Sequence, residues 1–508
     1  MTVGALLQLE YGNTDRMAFL TLNPQITHFK SVYKKYTNFA TQFLQLAPIA
    51  KSAVLAWDQD TKYTFKVPRD GDAIRDMYLT FELPDIYSDS NYQFQWIKRI
   101  GEYIVKDISL QIDTNQNVDK HYSEWFHAYS ELNYNEGKKK GYYKMVGNIP
   151  ELYDPANAPG NGGQYPSYPG SPNPYAPSII NRKLYLPLIF WFNKFASMSF
   201  PLIAIQKTEI NINITLRQLQ HLYTVVDYTG VSGGTGYRVR PTKSNHYIGN
   251  FLYPSTSQNG LDINPNIEIN NIFLDNEERK RFALSSHDYL ITQLQVIKQT
   301  YNYSKSVTVD LKNINKPVTE LVFMIRRSDM EDVNDWSNFT NWNLNDIPPY
   351  SSGYINQYGL PLTINAANIR YYKTKNLLKS AKIRIQAQDI TESKGDVRDN
   401  DNPNNKLDGK DSIFFNLMEN FNFNENMPDE GIYTYSFSLD NSSLQPSGAI
   451  NMSSINNKDI MLNLTDINPS GGYNYPSGTA YNYGVYIFAV NYDILKIMGG
   501  MVGTMTSN

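Results

Sequence analysis

The chain predicts an all-β protein of two domains, and three observations carry that prediction. Apolar and polar residues alternate with a period of two in segments spread over both halves, the pattern of strands with one buried face. Asn, Tyr, Ser and Thr are abundant, with 39 Tyr alone; these residues pack on pleated surfaces or bond locally in turns, which favours strands over helices. The length of 508 residues exceeds the roughly 250–300 at which a single core stops growing, so the chain divides.

The first predicted element is a helix over residues 23–36. Asn23 caps it, Pro24 suits its first turn, and Ile26, Phe29, Val32, Tyr33 and Tyr36 recur on one face. Lys30, Lys34 and Lys35 lie off that stripe. They mark either a surface for a membrane or a partner, or, more simply, the solvated side of a helix packed on its own domain. Strands follow. Tyr63, Phe65 and Val67 alternate with Thr64 and Lys66, and Ile210, Ile212, Ile214 and Leu216 with Asn211, Asn213, Thr215 and Arg217. In the second half the rhythm returns at Val307, Val309 and Leu311, at Ala381, Ile383, Ile385 and Ala387, and at Tyr433, Tyr435, Phe437 and Leu439. Polar insertions at 155–177, 230–236, 334–361 and 395–410 separate these strands, as loops on a rigid β framework do. The run Gly-Val-Ser-Gly-Gly-Thr-Gly within 228–250 is the softest boundary. The expected organisation is an arm with a short helix over 1–37, a first domain over 38–229, a linker over 230–250 and a second domain over 251–508.

Bulk chemistry narrows the function. A net charge of −3 offers no footprint for gripping a phosphate backbone, so direct sequence-specific nucleic-acid binding is not expected. With no cysteine there is no disulfide framework, thiolate metal site or cysteine nucleophile. The first ten residues lack a basic leader, and no run approaches the roughly 18 apolar residues of a membrane span. The chain reads as made and folded in a cytoplasm.

Several blocks, taken in order, carry a resemblance. They include Gly4-Ala5-Leu6-Leu7-Gln8-Leu9, Asn23-Pro24-Gln25-Ile26-Thr27-His28-Phe29-Lys30, Asp119-Lys120-His121-Tyr122-Ser123-Glu124-Trp125 and Leu186-Pro187-Leu188-Ile189-Phe190-Trp191-Phe192. In the second half come Leu274-Asp275 with Glu277 to Ala283, then Gln445-Pro446-Ser447-Gly448-Ala449-Ile450-Asn451, and finally Ala489-Val490-Asn491-Tyr492 leading to Gly499-Gly500-Met501. Together the chain resembles the major capsid proteins of nucleocytoplasmic large DNA viruses. The resemblance implies two consecutive eight-stranded antiparallel jelly rolls with long loop insertions and a few short helices. It further implies a homotrimer forming a pseudo-hexagonal capsomer that tiles an icosahedral shell, with neighbouring capsomers and minor capsid and penton proteins as partners. The arm would lie inside, near an inner membrane, which gives Lys30, Lys34 and Lys35 an inward, partner-contacting role by resemblance. The protein would reside in the virion, after synthesis and assembly in the host cytoplasm.

No motif competes strongly with a structural role, and no catalytic residue, cofactor or metal is expected. The six histidines include no His-x-His pair and no His-Glu-x-x-His helix. His121, Glu124 and His127 stand three apart on an expected helix, but inside a block whose resemblance is structural. Asp113, Asn115, Asn117 and Glu124 match positions 1, 3, 5 and 12 of a calcium loop, whereas Val118 stands where that loop needs Gly; a strand end, a turn and a helix start fit the segment better. Sequons place candidate glycan acceptors at Asn213, Asn302, Asn338, Asn441 and Asn463. Asn451 is the least suited, within an apparent turn and strand. The alternative function is a jelly-roll carbohydrate-binding surface protein, with the Tyr-rich loop 164–175 and Trp336 or Trp342 as stacking platforms. A jelly-roll hydrolase or metal-dependent cupin is the weakest reading.

Overall fold

A computed structural model describes residues 2–11, 23, 28, 33–50, 54–113, 116–167, 176–229, 237–255, 260–302, 306–340, 376–391, 410–464 and 482–505. The first unit contains β1 (Phe39–Leu46), β2 (Thr61–Lys66), β3 (Ala73–Leu83), β4 (Tyr92–Trp96), β5 (Val105–Ile112), β6 (Gln116–Tyr122), β7 (Arg182–Pro187), β8 (Ile210–Leu216), β9 (Tyr223–Asp227), β10 (Tyr237–Val239) and β11 (Asn266–Leu274). Two four-stranded antiparallel sheets, β1-β11-β3-β7 and β2-β8-β5-β6, form its body, and β10-β9-β4 forms a smaller third sheet. The alternation at Ile210, Ile212, Ile214 and Leu216 is realised in β8, whose odd and even residues separate cleanly by burial. Those side chains merge with Phe65, Leu110, Met77, Leu79, Phe81 and Leu186 into one core. Burial of each such side chain is worth about 1.5–3 kcal/mol.

The second unit contains β12 (His287–Tyr301), β13 (Ser306–Asp310), β14 (Pro317–Arg327), β15 (Leu378–Ile385), β16 (Gln388–Asp389), β17 (Ile432–Ser436), β18 (Ile450–Asn451), β19 (Lys458–Leu464), β20 (Tyr483–Met498) and β21 (Met501–Thr504). The order β12-β20-β14-β17, extended by β18 on β14 and β21 on β20, makes one sheet; β13-β19-β15-β16 makes the other. Val309, Ile460, Leu462 and Ile383 meet Phe323, Ile325, Ile487 and Tyr433 in a second core.

Three expectations change. Residues 33–38 have no regular structure and are exposed, so the helix predicted over 23–36 does not include its last turn; apart from residues 23 and 28, its earlier part, with Lys30, lies outside the described residues. Tyr33 and Tyr36 are exposed, so the apolar stripe gives that last turn nothing to pack on. His121 lies within β6 instead of standing on a helix, which begins at Ser123. The placement of 230–250 as a linker and 251–508 in the second domain does not hold for residues 237–255 and 260–274. β10 pairs with β9, β11 runs between β1 and β3, and Ile248, Phe251, Leu261 and Ile263 fill the first core. A glycine-rich run marks a soft connection without saying which sheet the next strand joins.

Candidate assembly surfaces and the seam between the units

β14 and the Val485–Ala489 stretch of β20 are buried on both faces. Along β14, Leu321, Phe323 and Ile325 point into the second core, while Val322 and Met324 belong to the core of the first unit. Along β20, Val485, Ile487 and Ala489 alternate in the same way with Tyr486 and Phe488. The helix Ser123–Asn133 fills the seam, buried at nine of its residues, with the Trp125 ring 5.4 Å from that of Phe488.

At the centre of the seam lies a charge cluster that no local motif announces. Arg326 on β14 donates to Glu124 Oε1 at 3.2 Å, to Glu331 Oε1 at 2.8 Å, to the Trp336 carbonyl at 3.2 Å and to the Tyr486 hydroxyl. Arg217, from the end of β8, donates to Ser123 Oγ at 2.9 Å, stands 3.9 Å from Glu124 and lies 4.3 Å from the centre of the Trp336 ring. Burial works to raise the Glu124 pKa, but Arg326 and then Arg217 outweigh it and hold the carboxyl down at about 2. Further bonds stitch the units together. Gln293 Nε2 donates to the Val118 carbonyl at 2.8 Å, Leu294 N–H to Asp119 Oδ1 at 3.1 Å, and Asn334 Nδ2 to the carbonyls of Gln220 and Tyr223 at 2.8 and 2.9 Å.

These contacts decide several readings. His121, Glu124 and His127 do not converge. His121 pairs with Asp119 at 3.0 Å and stacks on Phe190, His127 Nδ1 is 2.9 Å from the Tyr103 hydroxyl, and Glu124 serves the two arginines. Asp113 occupies a turn with φ 56°, residues 114–115 lie outside the described residues, and Glu124 is committed to the seam. Trp336 is not a surface platform. It is 7% exposed, its indole donates to the His221 carbonyl at 2.9 Å, and two guanidinium groups lie over its ring. Trp342 and residues 168–175 of the Tyr-rich loop lie outside the described residues. Lys34 and Lys35 are exposed.

Of the sequons, Asn338 is fully buried and donates to Asp335 Oδ2 at 3.0 Å, so it is no glycan acceptor in the folded chain. Asn213 and Asn463 are half-buried in β8 and β19, bonded to Gln111 and Ser380, and Asn441 is held by Ser436 and Ser438. Asn302 and Asn451 are exposed.

Two exposed apolar rows stand out. Among the described residues β1 is an edge strand, with only β11 beside it, and it carries Phe39 at 64% exposure and Phe43 at 58%. Where the end of β20 and β21 lie against the first unit, register brings exposed Leu290 opposite Ile494 and Met498 opposite Met501. Met505 N–H bonds the Ile494 carbonyl beside them. Large apolar groups of this kind mark contact surfaces when they cluster, and an unpaired edge is a template for another chain.

Two antiparallel sandwiches in tandem, sealed by a doubly buried sheet, define a double jelly-roll protein. Residues 27–247 match the family described as major capsid protein N-terminus, and residues 278–503 match large eukaryotic DNA virus major capsid protein. The chain is 28% identical to the major capsid protein of Phaeocystis pouchetii virus, covering 99% of this chain and 100% of the other. It is also 28% identical to that of Paramecium bursaria Chlorella virus 1, at the same coverage. The capsid protein in a quasi-atomic structure of the PBCV-1 capsid superposes with TM-score 0.64 at 24% identity, over 95% of this chain and 100% of that one. The Faustovirus major capsid protein does so with TM-score 0.62 at 15% identity, over 97% and 96%. The chain belongs to the major capsid protein family of large eukaryotic DNA viruses, and its role is structural, in the shell of the virion.

Proposed function

We propose that three copies of the chain associate into a pseudo-hexagonal capsomer, and that such capsomers tile an icosahedral shell together with minor capsid and penton proteins. The observation that carries this reading is the sealed seam. Two similar sandwiches held as one body give each chain two lobes, so three chains present six, a shape that packs hexagonally. The exposed rows on β1 and at the β20–β21 end are the surfaces this reading assigns to self-association. Lys34 and Lys35, with Lys30 before them, lie on the segment it directs inward, towards partner proteins and a membrane. Synthesis and assembly in the host cytoplasm, and the lack of any catalytic role, belong to the same reading, as does a division of the units within the helix Asn276–Leu284. Among the sequons it favours Asn302 as a glycan acceptor, followed by Asn441, Asn463 and Asn213.

Light scattering coupled to size exclusion tests the proposal. A species near three chain masses that survives heating towards the unfolding temperature is expected. A folded monomer at all accessible concentrations would sink it.

A further inference from the structure

We propose that β16, Ile390 and the exposed face of a helix over residues 410–423 form a docking surface for a second copy of the chain, received on the outer face of its sheet β1-β11-β3-β7. This contact rests on the three-copy reading and is the junction by which that reading joins one chain to the next.

The two units repeat one plan. Setting aside β4, β9 and β10 in the first and β18 and β21 in the second, the strand orders correspond one to one in chain order: β1-β11-β3-β7 with β12-β20-β14-β17, and β2-β8-β5-β6 with β13-β19-β15-β16. In the seam, the face of β12-β20-β14-β17 turned away from its own core is covered by β6 and the helix that follows it. Gln293 of β12 donates to the Val118 carbonyl of β6, and the Trp125 ring packs on Phe488 of β20. The counterparts of these two surfaces are the outer face of β1-β11-β3-β7, and β16 with the next described helix, over residues 410–423.

Both counterparts are open in the single chain. The helix over 410–423, α-helical at Lys410–Ile413 and Glu419–Phe423 and π-helical at Phe414–Met418 between them, is fixed by one side. Phe415 enters the second core, Asn416 Nδ2 donates to the Ile432 carbonyl at 2.8 Å, and Thr434 Oγ1 donates to Asn420 Oδ1 at 2.9 Å. The other side carries exposed Ile413, Leu417, Met418 and Phe421, the last at 73%. Gln388 and Asp389 of β16, and Ile390 after them, are exposed as well. An apolar helix face left in water marks a contact. On the receiving sheet, Ile269, Leu79 and Leu186 face the core, so register places Phe43, Tyr78, Tyr185 and Pro187 on the outer face; Phe43 is exposed and the others are partly buried. Three aromatic rings there give Leu417 and Phe421 an apolar floor. This floor runs on into the seam. Tyr78 and Pro187 share a cleft with Tyr129 and Lys194, which also line the pocket at the seam beside Leu290 and Val490. With the helix of each chain on the sheet of the next, three chains close a ring of six units and leave neither surface free.

The test places the photoreactive analogue benzoylphenylalanine at Phe421 of the full chain. Irradiation is expected to give species of two and three chain masses on a denaturing gel, with the cross-link mapped to peptides containing Tyr78 or Tyr185. Leu417→Lys with Phe421→Lys should raise the concentration at which copies separate by at least about tenfold, as the loss of one buried apolar side chain does, with the melting temperature of the separated chain unchanged. Wild-type chains that assemble in threes while the cross-link maps elsewhere or fails to join chains, or while the double lysine variant assembles as tightly as wild type, overturn this inference and leave the three-copy reading standing. A wild-type chain that stays monomeric overturns both.

Discussion

At the residue scale, Arg326 explains why Trp336 is where it is. The guanidinium is 1% exposed, and Glu124, Glu331, Tyr486 and the faces of Trp336 and Phe339 surround it. Removing one member of a buried ion pair leaves the other charged and unsolvated, at a cost of about 3–5 kcal/mol. Arg326→Met is therefore expected to lower unfolding free energy by about 3 kcal/mol, at the lower end of that range, because Arg217 remains 3.9 Å from Glu124. Guanidinium denaturation reads this directly, and a loss under about 0.5 kcal/mol, as for an ordinary surface substitution, would refute it. None of this was legible in the sequence. Glu124, Arg217 and Arg326 are far apart in the chain, and Trp336 sits in a polar stretch that reads as an exposed loop. Only the fold brings two arginines over its ring.

At the element scale, strands with one buried face announced themselves and strands with two did not. The alternation in β2, β8, β13 and β15 was legible because solvent lies on one side. In β14 and β20 it is replaced by the runs Leu-Val-Phe-Met-Ile and Val-Tyr-Ile-Phe-Ala-Val, which is how a strand covered on both faces reads. Those runs were the available signal for the seam. It follows that Phe488→Ala, on the outer face of β20, should cost about 3–5 kcal/mol, as much as Phe323→Ala in the second core. A much smaller loss for Phe488 in thermal unfolding would mean that the units separate readily. β1 tests the opposite case. Phe39 and Phe43 are exposed in the single chain, so Phe39→Lys with Phe43→Lys should change its own stability by no more than about 0.5 kcal/mol per site. The same pair should weaken self-association in light scattering. Unchanged oligomer mass on dilution would remove β1 from the contact surface.

At the scale of the whole molecule, the seam sets how the two units respond together to pH. Glu320 on β14 is 5% exposed beside the first unit's Lys194, with Asn424 Nδ2 donating to its Oε1 at 2.8 Å. Burial raises its pKa from 4.5 to about 7; Asn424 and Lys194 only moderate the effect, and Glu419, a second carboxyl raised by burial, adds to it. Lys194 is itself pushed down by burial, opposed by Asp119 and Glu320. A carboxyl with a higher pKa in the folded than in the unfolded chain binds its proton more tightly when folded. The stability it contributes is complete below pH 4.5 and is lost as pH rises through about 7. The full loss from Glu320 is about 3 kcal/mol. His127 works in the other direction, since burial holds it neutral and its contribution falls away as pH drops below 6.5. The informative quantity is therefore the difference between the wild-type chain and Glu320→Gln, in which the bond from Asn424 is retained and the His127 contribution cancels. The variant should lack the decline in melting temperature between about pH 4.5 and 8 that Glu320 imposes, becoming relatively more stable with each step towards alkaline pH. Parallel melting curves for the two proteins over that range would show that the seam does not titrate through Glu320.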